Sequence, residues 1–208
     1  MLKPYYQDDY ATIYLGDCRD VLPQLAQVDL VCTDPPYGIG FAAQPTKWQR
    51  RAGQTPEGWD DLAPTEAVLG LLRIARNTAI WGGNYFPLPI SRGWLTWFKP
   101  DAPPSMASVE LAWTSLNQNA RQISHSISAT NGERVGHPTQ KPIAVMKWCL
   151  GFFPDARTVL DPFMGSGTTL RAAKDLGIKS MGIEIEEKYC EIAAKRLRQE
   201  VLWAAMTE

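Results

Sequence analysis

Residues 158–170, TVLDPFMGSGTTL, lead from a short apolar strand through a glycine-rich turn into a helix. The run 158–160 is typical of a buried strand, and residues 168–176 have the pattern of a helix. Further strands alternate with helices along the chain, which predicts a largely parallel sheet covered on both faces. The sequence therefore predicts an α/β fold with this turn at the end of a strand.

The turn itself predicts a ligand-binding loop. Gly165 and Gly167 permit tight backbone geometry and close approach of a ligand. Thr168 and Thr169 begin the helix, where free N–H groups favour a carboxylate or a phosphate. No lysine follows the second glycine, so the loop is not a P-loop, and it lacks the full dinucleotide fingerprint.

An acidic residue on the next predicted strand supports a nucleoside ligand. Glu184 follows the glycine turn by about twenty residues, where a carboxylate can bind two ribose hydroxyls. The alternative is a structural turn followed by an unrelated surface glutamate.

A second motif, Asp34-Pro35-Pro36-Tyr37, follows the apolar run 30–33, which is typical of a buried strand. The prolines cannot donate backbone hydrogen bonds, so the carbonyl groups here are free to accept from a ligand. These acceptors lie beside one flat aromatic ring, which suits a planar group with an NH2, such as a nucleobase amine. The alternative is an ordinary turn after a strand.

Composition limits the class of protein. The 208 residues, of which 45% are hydrophobic and 21% charged, indicate one domain over 1–208. No apolar run is long enough to cross a membrane, and the start of the chain lacks a secretory pattern, so we expect a cytoplasmic protein. Four scattered cysteines and two histidines predict no metal site, and a net charge of -1 neither supports nor excludes nucleic acid.

Together, four motifs resemble those of the S-adenosylmethionine-dependent DNA amino-methyltransferases. They are DPPY at 34–37, HPTQKP at 137–142, DPFMGSGTT at 161–169 and GIEI at 182–185. DPPY precedes the glycine-rich motif, as in the permuted beta class of that family. The resemblance implies a circularly permuted, Rossmann-like methyltransferase fold, with a mixed seven-stranded sheet and helices on both faces. It also implies that the two motif loops meet at one edge of the sheet.

The resemblance assigns roles to individual residues. It implies that Asp34, Pro35, Pro36 and Tyr37 are catalytic and hold a flipped base. The implied residues for S-adenosylmethionine are Asp17, Cys18, Thr139, Lys141, Asp161, Phe163, Gly165, Gly167, Thr168, Thr169 and Glu184. Among these, Asp17 is alternatively a helix-capping carboxylate, and Lys141 is alternatively a solvated residue before a helix.

Two polar segments, 38–64 and 115–136, are candidate DNA-facing loops within the domain. The first carries a cluster of basic and aromatic residues that suits phosphate and base contacts. The candidate DNA-binding residues are Lys47, Trp48, Arg50, Arg51, Arg121 and Arg134. The alternative is that both segments are solvated loops without such a role.

The expected activity is methylation of the N6 amine of an adenine flipped out of double-stranded DNA. In the resembled family a serine at position 34 tends to accompany cytosine, so Asp34 favours adenine. N4-cytosine methylation, an RNA or protein amine as substrate, and a non-catalytic binding module remain alternatives. A homodimer, a cognate restriction endonuclease, and a bacterial or phage origin are left open.

Overall fold

The computed structural model describes residues 2–39, 63–131 and 140–199. One sheet contains the nine strands β1 (Tyr6–Gln7), β2 (Ala11–Leu15), β3 (Val28–Thr33), β4 (Ala75–Trp81), β5 (Trp94–Phe98), β6 (Val109–Thr114), β7 (Arg121–Ser124), β8 (Thr158–Asp161) and β9 (Lys179–Glu184). The helices are α1 (Cys18–Val21), α2 (Thr65–Leu71), α3 (Ile127–Asn131), α4 (Ile143–Leu150), α5 (Thr168–Asp175) and α6 (Glu187–Arg198), with 3₁₀ turns at Leu22–Gln24 and Gly83–Tyr85. In these three described ranges, every helix is too short or too polar to span a membrane.

The strand order is β1-β2-β9-β8-β3-β4-β6-β5-β7. Strands β2, β9, β8, β3 and β4 are parallel to one another, whereas β6 is antiparallel to both β4 and β5. The mixed α/β sheet is therefore confirmed.

The expectation of seven strands is wrong, because within the described residues two strands at the edges of the sheet bring the number to nine. Strand β1 is two residues long and pairs with β2. Strand β7 lies inside the polar segment 115–136, which the sequence presents as a loop. Its side chains are mostly exposed, so it shows little apolar alternation, and it is placed by its backbone pairing with β5.

Helices cover both faces of the central strands because side chains alternate along each strand. On one face, Leu30 and Cys32 of β3 pack in a cluster with Met146 and Cys149 of α4. On the other face, Val31 packs in a cluster that includes residues of α1 and α2. Full burial of each such side chain stabilises the fold by about 1.5–3 kcal/mol, so the position of β3 is strongly fixed.

The pairing of β3 with β8 joins the two main motifs. Leu30 lies opposite Val159 in a parallel ladder, so both strands end at the same edge of the sheet. There the Thr33 hydroxyl donates to Asp161 Oδ1 at 2.6 Å, across 128 residues of sequence. DPPY and the glycine-rich turn are therefore neighbours in space.

Candidate active site

Two adjoining cavities open where β3 and β8 end. The larger has a volume of about 660 Å³ and extends along the ends of β2, β8 and β9, and the smaller has about 320 Å³ and extends towards β5 and β6. Among the described residues, four line both cavities, namely Asp34, Pro36, Gln140 and Lys141. A group held in one cavity can therefore reach a group held in the other beside Asp34.

Most residues proposed for the cofactor line the larger cavity. They are Asp17, Cys18, Lys141, Asp161, Phe163, Gly165, Thr168, Thr169 and Glu184. Gly167 is not among the lining residues, and Thr139 lies outside the described part of the chain. The structure thus brings together residues that are far apart in the sequence, while the role of each stays a prediction.

The glycine-rich turn needs its glycines for backbone conformation and packing. Gly165 and Gly167 have φ values of 50° and 77°, in the left-handed region that favours glycine. A Cβ on Gly167 would lie 2.7 Å from the Cβ of Ala193 in α6. Arg196 of α6, which the sequence did not single out, donates to the Ser166 carbonyl at 2.8 Å. Helix α6 therefore supports the turn from behind.

Glu184 closes the turn on the cavity side. Its Oε2 accepts from the Gly165 N–H and its Oε1 accepts from the Glu186 N–H, both at 2.9 Å. Burial raises the pKa of Glu184, although these two backbone N–H groups act in the opposite direction. Each carboxylate oxygen has a second lone pair with which it can accept from a ligand hydroxyl.

Asp161 is almost completely buried at the end of β8. It accepts from the Thr33 hydroxyl and, at 3.2 Å, from the Phe163 N–H. Burial raises the pKa of Asp161 to about 6, and the nearby charge of Asp34 acts in the same direction. A cationic ligand group in the larger cavity would stabilise its ionised form.

Asp17 and Cys18 form the far end of the larger cavity. Asp17 caps α1 by accepting from the Arg19 N–H at 2.8 Å, so the capping role considered for it is present alongside its place in the cavity wall. Its side-chain bond with Arg19 lowers the pKa of Asp17. Burial raises the pKa of Cys18 to about 11, which keeps this thiol neutral.

Asp34 and Tyr37 form the boundary with the smaller cavity. The Tyr37 hydroxyl donates to Asp34 Oδ1 at 2.5 Å, and the Tyr37 ring stacks on Tyr85 with centroids 4.8 Å apart. Burial raises the pKa of Tyr37 well above its usual value, and the Asp34 charge adds to this effect. A flat cavity wall with a hydrogen-bond acceptor at its end suits a planar aromatic ligand.

Lys141 is buried between two carboxylates, so the alternative of a solvated lysine is wrong. Its Nζ lies 2.5 Å from Asp34 Oδ2 and 2.9 Å from Glu110 Oε2. Burial opposes the charged form, but the charges of Asp34 and Glu110 overcome it and raise the pKa of Lys141. The lysine therefore stays cationic in the wall that both cavities share.

The buried charges continue beyond Lys141 into strand β6. Glu110 also forms an ion pair with Lys99, which lies over the ring of Trp97 at 4.6 Å from its centroid. Burial alone would raise the pKa of Glu110, but the ammonium groups of Lys141 and Lys99 lower it to about 2. Neither Glu110 nor Lys99 belongs to a motif, and the sequence analysis missed both.

Of the candidate DNA-binding residues, one lies in the described part of the chain. Arg121 is exposed on the edge strand β7 and lines neither cavity. Lys47, Trp48, Arg50, Arg51 and Arg134 lie outside the described residues. Their proposed contacts with DNA stay predictions.

Comparison with known proteins finds one matching family model and several curated relatives. The family model for DNA methylases of the N6/N4 type matches residues 78–195, more than half of the chain. The chain is 26% identical to the type II methyltransferase M2.LlaDCHI of Lactococcus lactis subsp. cremoris, over 96% of this chain and 93% of that protein. It is 29% identical to the type II methyltransferase M.HinfI of Haemophilus influenzae, over 96% of this chain and 71% of that protein.

Solved structures show the same fold. The M1.HpyAVI–SAM complex matches with a TM-score of 0.63 and 22% identity, over 91% of this chain and all (100%) of that one. The cytosine-N4-specific PvuII DNA methyltransferase matches with a TM-score of 0.63 and 19% identity, over 95% of this chain and 90% of that one. The expected methyltransferase fold is therefore confirmed.

Proposed function

Since this chain belongs to the N6/N4 family of S-adenosylmethionine-dependent DNA methylases, we propose that it methylates the N6 amine of an adenine flipped out of duplex DNA. One observation carries the proposal: Asp34 lies in the wall shared by a large acidic cavity and a smaller aromatic one. A methyl donor in the first and a base in the second would meet beside its carboxylate.

The larger cavity fits S-adenosylmethionine in chemistry. The cofactor carries a ribose diol and a net positive charge, and Glu184, Asp161 and Asp17 offer carboxylates. We propose that Glu184 accepts from the ribose hydroxyls, that Asp17 and Cys18 lie beside the adenine, and that Asp161 stabilises a cationic group. When bound, the cofactor supplies an electrophilic methyl group on sulfur.

The smaller cavity supplies the acceptors that an exocyclic amine needs. Such an amine is a poor nucleophile because its lone pair is delocalised into the base ring. If Asp34 and the Pro35 carbonyl accept its two N–H bonds, the nitrogen can pyramidalise and direct its lone pair at the methyl group. The same acceptors stabilise the positive charge that develops on nitrogen, by electrostatic preorganisation and positioning.

Tyr37 provides the stacking surface for the flipped base. Extrusion from the duplex costs about a few kcal/mol, and stacking on an aromatic ring returns about 1–3 kcal/mol. Tyr85, which now covers one face of Tyr37, is 48% exposed. We therefore expect the base to stack on Tyr37 in place of Tyr85.

Contacts with the duplex would come from the two polar segments 38–64 and 115–136. We propose that Lys47, Arg50, Arg51, Arg121 and Arg134 bind phosphates, because basic side chains neutralise the DNA backbone. The two curated relatives named above are both type II methyltransferases, which supports DNA as the substrate.

A labelled-methyl assay tests the function. The protein is incubated with S-adenosylmethionine labelled on its methyl group in three separate reactions. They contain unmethylated genomic DNA, total RNA or a protein extract as the substrate. We expect label in the DNA alone. After the DNA is hydrolysed to nucleosides, the label should be in N6-methyl-2′-deoxyadenosine. Label in N4-methylcytosine would overturn the choice of base, and label in RNA or protein alone would overturn the choice of substrate.

The raised pKa of Asp161 predicts that cofactor affinity depends on pH. Below about pH 6 the free protein holds this carboxyl protonated, so binding a cationic cofactor must first release the proton. We expect affinity to fall by about tenfold for each pH unit below 6. Calorimetric titration at constant ionic strength between pH 5 and pH 8 measures this.

The matched variant for that titration is Asp161→Asn. Glu184 also has a raised pKa, so only the difference between wild type and Asp161→Asn isolates Asp161. We expect a flatter profile in the variant, and an unchanged slope would contradict the role given to Asp161.

A further inference from the structure

Both carboxylate oxygens of Asp34 already have partners. Oδ1 accepts from the Tyr37 hydroxyl and Oδ2 pairs with Lys141 Nζ, each at 2.5 Å. A target amine must compete for these oxygens, and the Lys141 ammonium group also opposes the positive charge that develops on the amine nitrogen, so release of the Lys141 bond favours methyl transfer. The released partner must then find another position, since a buried cation without a counter-charge is strongly unfavourable.

Glu110 offers that position to Lys141. Its buried Oε2 already lies 2.9 Å from Lys141 Nζ and forms an ion pair with it. The same ammonium group thus has a well-formed bond to Asp34 and a second carboxylate oxygen within reach. A small rotation at the end of the lysine side chain would exchange one for the other.

The surroundings hold Glu110 in place for this exchange. Its Oε1 is paired with Lys99, and its backbone lies opposite Trp97 in the β5–β6 ladder. Glu110 also lines the smaller cavity, close to the proposed base. It remains ionised because two ammonium groups flank it. The negatively charged carboxylate of Glu110 is therefore held in a fixed position beside Lys141.

We infer that Glu110 is a positioning residue that takes Lys141 from Asp34 when the target amine enters, and so frees Asp34 to accept the amine. The inference rests on the proposed function and adds a residue outside its motifs. The exchange leaves the number of buried charges unchanged, because the ammonium group only changes its carboxylate partner. In the absence of a base, Lys141 would thus occupy Asp34, and it would leave when a base in the smaller cavity competes for this carboxylate.

Glu110→Gln tests this handover of Lys141 from Asp34 to Glu110, because the substitution keeps the side-chain shape and removes the charge. Lys141 should then remain on Asp34, and we expect kcat for methyl transfer to fall about tenfold. Cofactor affinity should stay within about threefold of wild type, since the larger cavity is not changed. The control is Asp8→Asn, which removes a carboxylate from a partly buried ion pair with Lys174 at 2.7 Å; Asp8 lines neither cavity.

A double-mutant cycle separates the handover from a structural role. If Glu110 acts through Lys141, then Glu110→Gln has no further effect on kcat in a Lys141→Met background. Additive losses in the cycle would overturn the inference, and so would a wild-type kcat in Glu110→Gln alone. If wild type transfers no methyl group to DNA, the proposed function itself fails, which is a different result.

A crystal structure of wild type gives an answer that does not depend on a variant folding. The complex would contain substrate DNA and S-adenosylhomocysteine, the demethylated product of the cofactor. We expect Lys141 Nζ to keep its contact with Glu110, which it already has in the free protein, and no longer to be bonded to Asp34. Lys141 still on Asp34, with the target base in the smaller cavity, would overturn the handover.

Discussion

Asp34→Ala is expected to lower kcat for methyl transfer by about 10²–10³-fold, the loss typical when a preorganised electrostatic contact to the reacting group is removed. The substitution removes the acceptor in the wall between the two cavities and leaves the bonds of Glu184 to the glycine turn intact. Lys141 keeps Glu110 as a counter-charge, 2.9 Å away, so the lysine is not left unpaired. The effect should therefore appear in the chemical step and not in cofactor binding.

Single-turnover transfer of labelled methyl groups, with cofactor affinity measured separately, resolves the two effects. The control is Asp29→Ala, which removes the same residue type at the opposite end of β3. Asp29 accepts from the Thr158 N–H at 3.1 Å and lines neither cavity, so its loss affects stability without touching the site. Full methyl transfer by Asp34→Ala would exclude Asp34 as the acceptor of the amine.

The motifs could be predicted because each contains its own local geometry. The turn at 161–169 carries the glycines that its left-handed backbone needs, and Glu184 follows at the end of the next strand. DPPY comes directly after β3, so its place at the edge of the sheet follows from the strand alone. The two motifs lie close together in space because β3 and β8 pair in parallel and end at the same edge of the sheet.

The environment of Lys141 could not be predicted in this way. It depends on Asp34, 107 residues earlier, and on Glu110, which reaches the site through the antiparallel pairing of β6 with β4. The available signal was weak: Glu110 is a charged residue in strand β6, whose other residues are uncharged. A charge in such a strand calls for a buried partner, but the sequence does not say which residue supplies it.

Strand β7 escaped prediction for a different reason. Hydrophobic alternation reveals strands that bury one face, and of the residues Arg121–Ser124 only Ile123 is partly buried. An edge strand of this kind is defined by its backbone ladder with β5. Sequence pattern is informative where burial decides structure, and it fails where main-chain pairing alone does.

Glu184→Gln is expected to weaken cofactor binding by about 10- to 100-fold. Hydrogen bonds to a charged group contribute about 1.5–3 kcal/mol, which corresponds to that range. The amide also brings an NH2 group to a position where Oε1 and Oε2 now each accept a backbone N–H. One of these bonds to the glycine turn would be lost, so the variant should lose both ligand contacts and support for the loop.

Calorimetric titration with S-adenosylmethionine measures the loss, and kcat at saturating cofactor should stay near the wild-type value because Asp34 is unchanged. Glu187→Gln is the matched control, since Glu187 is exposed at the start of α6 and does not line the larger cavity. Unaltered cofactor affinity in Glu184→Gln would contradict the proposal that Glu184 binds the ribose hydroxyls. A lower kcat at saturation would instead show that the glycine turn transmits the change to the Asp34 side of the wall, where Thr33 bonds to Asp161 at 2.6 Å.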